Sequence, residues 1–224
     1  MLRRALVTVA LLVLTPATVQ AFDHHEHHHS SGGSGGDGCG SSSHGSSSST
    51  SSSSGSGGGA SATPSSSDHR RVFVTSTQYS GALGSTSAAD AHCQESAKAA
   101  RMSGTFRAWI SDDQSDASAR LRDAGPWYTM SDGLAFSSKA AMAEPPESEL
   151  EDELGGTLPA GGPRVWSGSD ATGFRSGDNC EGWTNASSDA IATTGTAQAG
   201  SPSWGGGGAA LHCNEKAALL CFQQ

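Results

Sequence analysis

The sequence predicts a loop-rich α+β domain of short strands with one main helix near its start, and three observations carry that expectation. The chain closes on Leu211-His212-Cys213-Asn214-Glu215-Lys216-Ala217-Ala218-Leu219-Leu220-Cys221-Phe222, an apolar, strand-like run holding two cysteines with seven residues between them. Ala89, Cys93, Ala97 and Ala100 recur at helical spacing. Short β-branched or aromatic runs alternate with Ser- and Gly-rich stretches over the same region. Cys93, Cys180, Cys213 and Cys221 lie in this part of the chain, and four cysteines allow three connectivities, among which spacing does not choose.

Ahead of that region the chain reads as export and tether. Met1 to Ala21 has a basic start (Arg3, Arg4), an apolar stretch from Ala5 to Leu14, and small residues at Val19 and Ala21. It reads as a secretory signal removed after Ala21, too short to persist as a spanning helix. Residues 22–29 form an arm in which His24, His25, His27, His28 and His29 fall within six positions. Neutral imidazoles at that density chelate zinc, nickel or copper, with no preference for one metal written into the arm. Residues 30–69 are almost entirely Ser and Gly. Such a stretch buries too little apolar surface to offset its conformational entropy, so a flexible linker is expected, with an end-to-end distance of roughly 35 Å. Cys39 is the odd cysteine, which in a secreted chain points to a Cys39-linked dimer or a free thiol.

The folded domain is expected from residue 70 to 224, an ordinary size for one domain. Arg71 to Ser76 reads as a strand. Ser87 is the expected N-cap of a helix from Ala88 to Met102, with Cys93 on its inner face. Thr105 to Ile110 alternates like a half-buried strand, and Asp112, Asp113 and Asp116 precede a short helix to Asp123, where capping explains them. Trp127 to Met130 and Leu134 to Phe136 form a hairpin around Ser131-Asp132-Gly133, because Asp-Gly favours a tight turn. Residues 139–163 are acidic and loop-like, with Glu147 to Glu153 as a solvated run. Arg164 to Ser169 is another strand, followed by glycine-rich loops and the Cys213 to Cys221 strand, expected at the centre of the sheet.

The strings Val72-Phe73-Val74-Thr75-Ser76, Asp90-Ala91-His92-Cys93-Gln94, Ala108-Trp109-Ile110-Ser111, Val165-Trp166-Ser167-Gly168, Cys180-Glu181-Gly182-Trp183-Thr184 and Leu220-Cys221-Phe222 resemble the bacterial endostatin-like surface proteins. The resemblance covers roughly Arg71 to Gln224. It implies a C-type lectin-like fold of the endostatin variety with two nested disulfides, Cys93 to Cys221 and Cys180 to Cys213. It also implies an exported, non-enzymatic domain, and some members of that family adhere to extracellular matrix proteins or complement regulators. The spacing of Cys213 and Cys221 is similar to that of the last two cysteines of C-type lectins.

Departures from the sugar-binding lectins matter. Calcium needs six to eight hard oxygen ligands, which those lectins supply from a Glu-Pro-Asn or Gln-Pro-Asp loop and a Trp-Asn-Asp triplet. Here Trp183-Thr184-Asn185 takes the triplet's place, and Glu144-Pro145-Pro146-Glu147 is not the proline loop. Calcium-dependent carbohydrate binding is therefore an alternative with little behind it. The formal charge of −9, more negative still once Arg3 and Arg4 leave, repels nucleic acid and sulfated sugars. His92-Cys93 and His212-Cys213 each set a histidine beside a cysteine, but sequence neighbours do not face one another on a helix or strand.

The expected function is that of an exported surface or secreted recognition domain, binding an extracellular protein or matrix ligand through the long loops between Asp170 and Gly208. Trp183, Asn185 and Trp204 are the candidate contact residues, Trp204 being the one expected at the surface. No catalysis and no required cofactor are expected. The alternatives are a metal-binding surface protein acting through the histidine arm and the calcium-dependent lectin.

Overall fold

The computed structural model describes residues 69–224. The expected signal, histidine arm, linker and Cys39 lie outside the described residues, except for His69. In chain order the elements are β1 (Arg70–Val74), α1 (Thr86–Ala99), β2 (Phe106–Ala108), α2 (Ala117–Arg120), β3 (Trp127–Tyr128), β4 (Leu134–Phe136), β5 (Val165–Trp166), α3 (Cys180–Trp183), β6 (Ile191–Ala192), β7 (Thr194–Gly195), β8 (Leu211–His212) and β9 (Leu220–Gln223). The domain is mixed α+β with short strands, as its composition predicts.

The main sheet has the order β2-β9-β1-β3-β4. β9 runs antiparallel to both neighbours, setting Cys221 opposite Phe73 of β1 and Ala108 of β2. β1 and β3 are parallel, and β3 and β4 close the expected hairpin, with Asp132 left-handed in its turn at φ +67. The last strand is thus interior but not central; the middle position belongs to β1. Nor do Cys213 to Cys221 form one strand. β8 ends at His212, a turn follows, and β9 begins at Leu220. The two cysteines serve different layers: β8 pairs with β6, away from the main sheet.

The strand period of two divides the interior into two clusters on opposite faces of the sheet. Val72, Val74, Leu220 and Phe222 face one cluster with Trp109, Trp127, Phe136 and Trp204. Phe73 and Cys221 face the other, where α1 supplies Ala89, Cys93 and Ala97, and Trp166 and Trp183 pack beside them. With both faces covered, β1 reads as a continuous apolar run rather than an alternating one.

Helix α1 begins two residues before its expected start, because Ser85 rather than Ser87 is the N-cap: its hydroxyl accepts from Ala88 N–H at 3.1 Å. It ends at Ala99 rather than Met102, where Arg101 turns left-handed at φ +58. One turn of it explains the string Asp90 to Gln94. Cys93 points inward, while Asp90 Oδ1 accepts from Ala108 N–H at 2.9 Å and Gln94 Oε1 from Phe106 N–H at 3.0 Å. Side chains four residues apart on the helix thereby satisfy the outer edge of β2, which would otherwise present open donors.

Cys93 bonds Cys221 across a sequence separation of 128, and Cys180 bonds Cys213 across 33. The pairing is the nested one that the resemblance implies. Gly81 packs so tightly on the second bridge that a Cβ there would overlap Cys180 Sγ.

The acids after β2 do not cap α2. Asp116 sits at its N-cap position without a side-chain cap bond, and its Oδ1 instead accepts from Arg175 N–H at 3.0 Å. Asp113 Oδ1 accepts from Asn179 Nδ2 at 2.7 Å. Both carboxylates tie this loop to the 170–179 loop, a contact that local sequence does not encode.

Candidate functional site

All five tryptophans are interior, which corrects the expectation for Trp204: it is 1% exposed, wedged between Trp109 and Phe136 at ring-centroid distances of 5.2 and 4.7 Å. The glycines after it are the reason. A Cβ on Gly206 would overlap Asp170 O, and one on Gly208 would lie 2.6 Å from Thr194 O, so the run packs backbone on backbone and carries Trp204 inward. Trp183 is also fully buried, its Nε1–H donating to Ser111 O at 2.7 Å. Trp183 and Trp204 belong to different core clusters and form no common contact surface. Asn185 is half-buried, and its Oδ1 accepts from Ser187 N–H at 2.7 Å in a local turn. His24, His25, His27, His28 and His29 lie outside the described residues.

The 170–208 loops nevertheless build a surface feature. A concavity of about 390 Å³ opens beside α3, lined by Asp113, Asp178, Asn179, Glu181, Asp189 and Ile191. Its lining includes four acidic residues and Ile191, a large apolar side chain left 38% exposed. The left-handed backbone of Cys180, Glu181, Gly182 and Trp183 places it. With the disulfide at Cys180 and the buried Trp183 anchoring either end, Glu181 is forced to the rim. Further along the loop, Phe174 is 58% exposed at a turn closed by Asp170, whose Oδ1 accepts from Thr172 N–H and Phe174 N–H.

A second concavity, also about 390 Å³, lies where the acidic run meets the loop after it. Glu149 and Glu151 stand on one side, Leu158, Pro159 and Ala160 on the other, and Ala197 lies buried at the floor. Gly162, at φ +69, packs on the irregular segment that follows β7, since a Cβ there would overlap Thr196 O. The acidic run is therefore only partly a solvated loop. Glu151 Oε2 accepts from Ser131 N–H, and Glu153 is 7% exposed, bonding Ser76 through both its N–H and its hydroxyl. The sequence signal for this groove is Leu158-Pro159-Ala160, an apolar triplet inside the acidic stretch 139–163 that reads as loop.

Three titratable groups among the described residues are clearly shifted. Burial pushes the Tyr79 phenol, which stacks on His92, above its usual value. Burial also pushes Asp112 up, but bonds from Gln114, Ser115 and Thr86 outweigh it and hold the carboxyl below the usual range. Arg71 bonds Asp132 and lowers it at the surface. These three do not share either concavity. Cys93 and Cys213 are both in disulfides, so neither histidine-cysteine pair holds a thiol. Among the described residues no three His, Cys, Asp or Glu side chains converge as a metal site, and no helix is long and apolar enough to cross a membrane.

The chain matches no protein-family model, and no curated protein matches it.

Proposed function

We propose that this is an exported recognition domain of the endostatin-like, C-type lectin-like kind, which binds a cationic region of an extracellular protein or matrix component without catalysis. One observation carries the reading: the 170–191 loops and Asp113 converge on a concavity whose lining presents four carboxylates and an exposed Ile191 on a disulfide-stapled frame. A rigid scaffold displaying irregular loops is the usual arrangement for recognition, and carboxylates with an apolar anchor complement lysine or arginine beside an aliphatic group. Two disulfides accord with an oxidising compartment.

The test is saturable binding of the full chain to immobilised matrix proteins, with heparin as the polyanionic control. Binding to a matrix protein that weakens in the Asp178→Asn, Asp189→Asn double variant, and no binding to heparin, supports the reading. Heparin binding, or matrix binding indifferent to the double variant, overturns it.

The histidine arm supports a second reading, a metal-binding surface protein, on the strength of five histidines in six positions.

A further inference from the structure

The groove between the acidic run and the 157–162 loop lies outside the 170–191 concavity and draws on different residues. Its lining holds two carboxylates, Glu149 and Glu151, and no lysine, arginine or histidine. Its floor and far wall are aliphatic: Leu150 and Ala197 are buried, Leu158 is half-buried and packs on the core, and Pro159 and Ala160 are exposed. The wall is not a collapsible loop edge. Gly162 N–H donates to Pro159 O at 2.9 Å, closing a turn, and the tight approach of Gly162 to Thr196 packs that turn on the segment after β7. The opposite side is equally held: Glu151 O accepts from Val74 N–H of β1 at 2.9 Å, and Asp152 N–H donates to Gly156 O at 3.0 Å. The floor is backed by Trp204, whose backbone carbonyl accepts from Ala197 N–H at 2.9 Å. An apolar lining of Leu158, Pro159 and Ala160 beside two carboxylates, with no cationic side chain in the lining, defines what fits.

We infer that this groove binds an extended peptide segment in which an aliphatic side chain is flanked by lysine or arginine, the aliphatic group seated over Leu158 and Ala197 and the cation on Glu149. The preference for a cation follows from the rim: two carboxylates on a domain of net negative charge attract cations and oppose anionic segments. The preference for an aliphatic group follows from Leu158, Pro159 and Ala160, which offer the apolar surface to be removed from water. Glu149 is the better charge partner, because it is exposed and its bond from Ala199 N–H is long at 3.4 Å, whereas Glu151 is half-buried and accepts from Ser131 N–H at 2.8 Å.

The test is fluorescence anisotropy of labelled peptides titrated with the full chain at low and moderate salt. The probes are a decapeptide alternating lysine with leucine, one alternating glutamate with leucine, and one alternating lysine with serine. The first is expected to bind roughly tenfold or more tightly than either of the others, since a lost charge pair or a lost buried aliphatic group each weakens binding on that scale. Glu149→Lys and Ala160→Arg lie at exposed positions and are expected to weaken the first peptide on the order of tenfold, with near-ultraviolet circular dichroism unchanged. Because the same peptide chemistry suits the 170–191 concavity, the groove is also read on the Asp178→Asn, Asp189→Asn background, where the first peptide is expected to keep binding and still to weaken on the order of tenfold with Glu149→Lys. Equal binding of the lysine-serine peptide, no binding of the lysine-leucine peptide, or indifference to both groove variants overturns the inference. So does loss of binding in the 178/189 variant, which would place the peptide in the other concavity.

Discussion

Trp109 and Trp204 allow one buried hydrogen bond to be weighed with little else changed. Their rings touch, with centroids 5.2 Å apart, and both lie in the same cluster at 2% exposure or less. They differ in one respect: Trp109 Nε1–H donates to the buried Gly205 O at 2.8 Å, whereas Trp204 Nε1–H finds no acceptor among the described residues. Trp→Phe at either position removes the same atoms and similar contacts. At Trp109 it also orphans the Gly205 carbonyl, whose desolvation costs about 1–3 kcal/mol; at Trp204 it removes a donor that is already unsatisfied. Trp109→Phe is therefore expected to cost about 2 kcal/mol more than Trp204→Phe, or roughly 4–8 °C in Tm for a domain of this size. Urea and thermal unfolding with the disulfides intact measure both. Equal losses, or a larger loss at Trp204, would refute the reasoning and show that ring packing alone decides the cost.

Other outcomes follow from the same structure. Because the bridges close loops with sequence separations of 128 and 33, replacing Cys93 and Cys221 together by alanine is expected to cost about 5 kcal/mol, and Cys180 and Cys213 together about 4, in urea unfolding. Asp112 is held below its ordinary value, so its contribution is present above about pH 4 and lost as pH falls through the folded value. Asp112→Asn should accordingly lower stability at pH 7 and flatten its decline between pH 5 and pH 3, read by urea midpoints, those pH values being chosen to bracket an ordinary carboxylate of about 4. Deleting His24 to His29 should abolish zinc and nickel binding in calorimetry while leaving the thermal transition of the domain unchanged. Retained metal affinity would move the ligands elsewhere in the chain.

Much of the domain was legible because local rules decided it. Strand β1, the inward cysteine of α1 and the Asp132-Gly133 hairpin follow from residue type and period, and the structure places them as expected. The errors have physical causes. The N-cap is Ser85 rather than Ser87, and Thr86, now the first residue of α1, donates its hydroxyl to Asp112 at 3.0 Å, a partner 26 residues on. The acids at 113 and 116 looked like helix caps, yet their partners lie some sixty residues away in sequence. Trp204 beside four glycines looked exposed because glycine usually marks open loop. Here its missing Cβ is what lets two backbone segments touch.

The sequence by itself determined a mixed α+β domain of short strands and long loops, with Cys93 inside a helix and a formal net charge of −9. Period, propensity and charge are carried by neighbours along the chain, so they survive without a fold. The tertiary structure alone decided that β1 rather than β9 takes the middle of the sheet and that all five tryptophans are interior. It alone put Asp113, Asp178, Glu181, Asp189 and Ile191 in the lining of one concavity, and Glu149 and Ala160 in that of another. Those facts depend on contacts between residues distant in sequence, fixed by packing density, disulfide closure and the close approach of glycine backbones.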